Sequence, residues 1–178
     1  MGFFFIFDKM VPKSYANNMN KFLKFLVGLI FVLNSCSKIN DAQYTYHYYE
    51  QKQLNIESYD HYMKFSKIEE GSNLVFSYEY VAEDDASVDD DEYAEYIRFE
   101  IDPKLSEFNY KDDELSETKA VFSVSCFCSF SDDPEKDVPP KGIIRGEKIS
   151  PTQWSISIDV VFYGHDHRNL THIFQLKN

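Results

Sequence analysis

From Leu74 onward, apolar and polar positions alternate with a period of two. Leu74, Phe76, Tyr78 and Tyr80 share one face, while Ser77 and Glu79 take the other. That spacing is the signature of a strand with one buried side. Tyr93 to Ile101 repeats it, with Ile97, Phe99 and Ile101 opposed to Tyr96, Arg98 and Glu100. Ala120 to Phe130 is the most apolar stretch, placing Phe122, Val124, Cys126, Cys128 and Phe130 together. The last third reads as a meander over 142–149, 154–163 and 170–176, with Trp154, Ile156, Ile158, Val160 and Phe162 in line. Earlier, Tyr44 to Tyr49 opens the series. Leu54 to Ile68 fits helix or strand periodicity and is assigned to strand. The run Glu69-Glu70-Gly71-Ser72-Asn73 is a turn signal joining that segment to the next as a hairpin. Between 105 and 119, a short strand at Phe108 and a helical turn at 112–117 are expected. Seven to eight short strands without long helices predict an all-β domain over 44–178, an antiparallel β-sandwich or small barrel.

A different pattern precedes the domain. Lys21 and Lys24 flank an unbroken apolar run from Phe25 to Leu33. A bilayer span needs about 20 apolar residues, so this run is too short to cross. It ends in Leu33-Asn34-Ser35-Cys36. Positive flank, short apolar core and small residue before a cysteine resemble the lipobox-type signal peptide of bacterial lipoproteins. The resemblance implies a signal helix within 1–35, cleavage before Cys36 and lipidation of Cys36, with 36–43 as a lipidated tether. Residues 1–18 fit an over-extended start, with translation beginning at Met19. Ser37 after the cysteine suits export to the outer membrane under the enterobacterial sorting rule. The phrase GIIRGEKISPTQWSISIDVVF is also similar to β-domains of small uncharacterised bacterial lipoproteins. That likeness brings no catalytic signature with it.

Composition narrows the partners. The chain has 18 basic and 30 acidic residues, a net charge of −12, and loss of the leader removes four lysines and one aspartate. So acidic a surface repels nucleic acid, which is excluded as a partner. The expected partners are the membrane, through the lipid, and an unidentified protein or glycan.

Four groups carry candidate chemistry. Cys126 and Cys128 admit a disulfide, a soft metal pair or two small buried apolar side chains; a bridge across two residues must bend an extended strand. His165 and His167, with Asp166 between them, form an H-x-H pair that binds zinc or copper given a third ligand such as His172 or Asp159; a polar hairpin tip is the alternative. The acidic run holds Asp84, Asp85, Asp89, Asp90 and Asp91. It offers a partner surface or a calcium-binding loop, although it lacks the glycine and ligand alternation of calcium loops; a solvated loop is the plainer reading. Tyr44, Tyr46 and Tyr48 stripe one strand face, ready to stack on a ligand or to pack in the sheet.

No serine nucleophile elbow, papain-like cysteine context, HExxH or phosphate loop occurs. The expectation is a non-catalytic, lipid-anchored envelope module without a cofactor. An inhibitor or immunity-type lipoprotein and a divalent-metal binder are the rivals.

Overall fold

The computed structural model describes residues 41–59, 61–83, 92–130 and 132–177. They form an all-β domain of nine strands: β1 (Gln43–Tyr59), β2 (His61–Glu70), β3 (Asn73–Val81), β4 (Tyr93–Ile101), β5 (Glu107–Lys111), β6 (Val121–Cys126), β7 (Lys141–Ser150), β8 (Gln153–Phe162) and β9 (Asp166–Leu176). A 3-10 helix, Asp112–Thr118, follows β5. Among the described residues no helix is long and apolar enough to cross a membrane.

The strands lie in the order β5-β7-β8-β9-β1-β3-β4-β6, with β2 attached to β1. Two antiparallel runs meet at a short parallel contact, where His47 and Tyr48 of β1 pair with Gln175 and Leu176 of β9. The sheet is therefore mostly, not wholly, antiparallel, and it has nine strands rather than seven or eight. Early in the chain the boundaries differ: the segment 54–68, expected as one strand, is divided between the end of β1 and β2. β1 does not stop at Tyr49 but continues to Tyr59, interrupted by Gln51, whose φ is 56° and which sits at a break in register with β3. Up to Lys52 β1 pairs with β3, and from Lys52 onward it pairs with β2.

The runs fold face to face in a β-sandwich-like arrangement. The Phe76 ring of β3 stacks on Phe99 of β4 at 4.8 Å and meets Trp154 of β8 edge-on at 5.5 Å. Phe76, Phe99, Trp154, Phe162 and Phe174 are all essentially buried. The alternation predicted for β3, β4 and β8 is the one that builds this core.

The β8–β9 connection is tight. His165 N donates to the Phe162 carbonyl (3.1 Å), and the two central residues, Tyr163 and Gly164, have φ of 53° and 73°. Positive φ at both positions matches the right-handed strand twist. The turn is thus shorter than the expected connection over 164–169, and β9 begins at Asp166.

Candidate functional site

The outward face of β4 carries Tyr96, Arg98 and Glu100, between the inward Ile97, Phe99 and Ile101. Register sets Ser77 of β3 opposite Arg98 and Glu79 opposite Tyr96, while Ser123 of β6 flanks Tyr96 on the other side. The alternation marks this as a solvent face. The structure instead roofs it with the hairpin formed by the second half of β1 and β2.

Glu100 and Ser123 hold that roof in place. The Glu100 carboxylate is 6 % exposed; it accepts from Leu54 N of β1 (2.5 Å) and Asn73 Nδ2 (3.0 Å). Lys119 Nζ lies 2.8 Å from it and also donates to the Leu54 carbonyl (3.1 Å). Farther along, Ser123 Oγ donates to the Lys64 carbonyl of β2 (2.9 Å). Tyr163 Oη accepts from Lys64 N (3.0 Å) and donates to the Phe122 carbonyl of β6 (2.6 Å). Side chains thus stitch β2 to the β6 edge where no backbone ladder does.

Between these anchors lies Arg98. Its Nη1 donates to the Ser66 carbonyl (2.5 Å) and approaches Ser66 Oγ (3.3 Å), and its Nε reaches Ser77 Oγ (3.3 Å). The guanidinium carbon sits 4.8 Å from the Tyr96 ring centre, a cation–π contact. Among the described residues no carboxylate forms an ion pair with Arg98, and no hydrogen bond engages its Nη2. Burial pulls the guanidinium below its ordinary range, partly offset by Tyr96, Glu79 and Tyr49. An arginine stays charged under such perturbation. Burial likewise pushes the Tyr96 phenol up, with Glu79 beside it adding to the effect.

Arg98 opens into a pocket of about 450 Å³, walled by Tyr59, Phe65, Tyr96 and Val124 and lined by Ser66, Ser123 and Ser125. At its rim Lys67 Nζ is bound to Glu57 Oε1 (2.6 Å), and Tyr59 Oη donates to Glu57 Oε2 (2.9 Å). The hydrogen bond from Lys67, then that from Tyr59, holds the Glu57 carboxyl below the usual carboxylate range. A larger concavity of about 700 Å³ lies on the outer face of the β5-β7-β8-β9 run, over Ser155, Ser157 and Thr171. Its charged residues, Glu107, Arg145 and Glu147, are exposed to water. Of the two, the roofed pocket is the stronger candidate because it combines a half-buried, partly engaged charge with apolar walls.

The sequence-predicted residues fall elsewhere. Cys36 and the acidic residues Asp84, Asp85, Asp89, Asp90 and Asp91 lie outside the described residues. Cys126 and Cys128 are joined in a disulfide, with their Cα atoms 5.1 Å apart. The reading as two buried apolar side chains gives way: β6 ends at Cys126, so no extended strand has to bend, and Cys128 is exposed. Phe127, between the cysteines, is 86 % exposed rather than in a strand.

His165 Nδ1 donates to the Tyr163 carbonyl (2.6 Å), and His167 Nε2 to Asp159 Oδ1 (2.7 Å). His172 stacks on Tyr46 at 3.7 Å. Asp159 thus meets His167 across the β8–β9 hairpin. Among the described residues, however, no group of three or more histidines, cysteines or carboxylates is placed to hold a metal. The tyrosine stripe divides: Tyr48 is buried, Tyr46 lies against His172, and Tyr44, 58 % exposed, packs on Tyr80 at 4.9 Å.

Arg98 is the residue that sequence reasoning missed. The available signal was Val75 and Val121, apolar residues on the face assigned to solvent and 0 % and 5 % exposed in the structure. No protein-family model, no curated protein and no solved structure matches this chain.

Proposed function

We propose that this chain is a non-catalytic binding module of the bacterial envelope, held at the outer membrane by a lipid on Cys36, with its ligand seat in the roofed pocket. The observation that carries the reading is the Arg98 guanidinium, anchored through Nε and Nη1 while Nη2 is left for an incoming group. The seat suits holding rather than chemistry: Ser123, its most confined hydroxyl, commits its proton to the Lys64 carbonyl, and among the described residues no base is hydrogen-bonded to it. The tether rests on the lipobox-like Leu33-Asn34-Ser35-Cys36 alone. Two acyl chains give stable anchoring, which suits a module acting at a surface.

An NMR titration of the Cys36→Ala chain with a mixed library of neutral and charged fragments tests the seat. Shifts concentrated at Ser66, Tyr96, Arg98 and Ser123 are expected. Shifts confined to other faces, or none, would overturn the assignment. Detergent phase partitioning tests the tether: the native chain should enter the detergent phase and Cys36→Ala the aqueous phase, and equal partitioning would remove the lipid from the account.

A further inference from the structure

We propose that the pocket selects a small organic monocarboxylate with an aromatic or compact apolar body, its carboxylate received by Nη2 of Arg98. The inference rests on the reading of this pocket as a ligand seat.

The charge inventory sets the sign of the ligand. A half-buried guanidinium whose Nη2 makes no hydrogen bond among the described residues keeps donors for an incoming acceptor, and a planar carboxylate matches their geometry best. Within the fold, Nη1 is satisfied by Ser66 and Nε by Ser77, neither of which carries charge. Lys67, the other cation at the pocket, is already paired with Glu57. Arg98 is therefore a cation at the floor without an ion-pair contact among the described residues, with Glu79 acting on it only from a distance, in a chain whose net charge is −12.

The same inventory sets the ligand's valence. Glu57 stands at the rim and Glu79 lies across the register from Tyr96, near enough to act on Arg98. A phosphate or sulfate dianion would meet both carboxylates, with Arg98 the one cation of the pocket lining that is not already paired with a carboxylate. A single negative charge is balanced by Arg98 and gains nothing from being doubled.

The walls set the body of the ligand. Phe65, Tyr96 and Val124 present apolar surface on the way to the guanidinium, and a volume of about 450 Å³ admits one aromatic or branched aliphatic group. A bare acetate would fill little of it, and a fully polar sugar acid would leave those walls unsatisfied.

The test uses the full Cys36→Ala chain and two probes of one shape, 3-phenylpropionate and its neutral amide, followed by calorimetry at low ionic strength. Saturable 1:1 binding of the acid is expected, with the amide weaker by about ten-fold or more, the usual effect of a charge-assisted hydrogen bond. Arg98→Met should bring acid and amide to equal affinity. Ser125→Trp, at an exposed position lining the pocket, should abolish binding of both without touching the Arg98 bonds, and covers the case in which Arg98→Met fails to fold. Equal binding of acid and amide by the native protein, abolished by Ser125→Trp, would sink the carboxylate inference and leave the seat standing. Binding of neither probe, or binding indifferent to Ser125→Trp, would sink both.

Discussion

Replacing Glu100 tests how the roof over the pocket is held. Its buried carboxylate is the common acceptor for Leu54 N and Asn73 Nδ2 and the partner of Lys119. Glu100→Gln keeps the shape but offers one carbonyl oxygen to two donors and no charge to Lys119. One donor is left without a partner, at a cost of about 1–3 kcal/mol. The Lys119 side chain, 42 % exposed, turns to water and adds little. Glu100→Ala orphans both donors and empties the volume, raising the cost to about 3–5 kcal/mol. Urea denaturation should show a lower midpoint at unchanged slope for both variants, because the surface exposed on unfolding is the same. Hydrogen exchange localises the effect: the Leu54 amide should lose more protection than the Phe76 amide, since the hairpin opens before the core does. A loss below about 0.5 kcal/mol for Glu100→Gln, or an unchanged Leu54 exchange rate, would refute the reasoning.

Three further outcomes follow from the geometry. Burial pushes Tyr163 from 10.0 up to about 12. Below pH 10 both states hold the proton; between pH 10 and about 12 only the unfolded chain ionises, so stability falls by roughly 2–3 kcal/mol and then levels. Tyr78, also raised to about 12, adds to the same alkaline slope, and Tyr163→Phe should flatten it in denaturation curves taken across that range; an unchanged slope would count against the assignment. Gly142 has φ of 133°, and a Cβ there would lie 2.1 Å from the Asp159 carbonyl, so Gly142→Ala should disrupt β7–β8 pairing. Melting within about 2 °C of the native protein would show that the strand gives way easily. The Cys126–Cys128 ring closes so short a loop that removing it with two serines should cost about 1.5 kcal/mol or less in the chain-entropy account, read by urea denaturation; a larger loss would mean that the end of β6 depends on it.

The inward faces were legible because one rule governs them. Ile97 and Trp154 alternate with more polar neighbours, and Phe76 and Phe122 lie in the same period of two, so burial against the opposite run is all that the pattern has to specify. The short strand at Glu107–Lys111 and the turn after it were readable for a similar reason, since their signals are local. What the pattern could not carry was the roof. The polar run from Glu50 to Gln53 breaks the alternation and reads as the end of a strand, whereas the backbone absorbs the break at Gln51 and continues. Strand order was equally hidden: β9 beside β1 is a contact between the first and last strands of the domain, which no local spacing encodes. Arg98 was assigned to solvent because its own strand gives no hint of what lies above it.

That roof explains why the polar residues of β4 have different consequences. Glu100 is engaged by three groups, and its burial is compensated. Val75 and Val121, on the same face, show that the space beneath the hairpin accepts apolar side chains. Arg98 is neither compensated like the first nor apolar like the others. A partly buried charge without an ion-pair contact carries a desolvation cost that an apolar side chain of similar volume does not. Arg98→Met should therefore change unfolding free energy by no more than about 1 kcal/mol, the lost Ser66 bond being offset by relief of desolvation. A change that small would fit the proposed role of the half-engaged guanidinium in holding a ligand. If Arg98→Met instead costs about 3 kcal/mol or more, as expected for the loss of an interaction that the fold depends on, Arg98 is a clamp for β2 and the case for a ligand must rest on binding data alone.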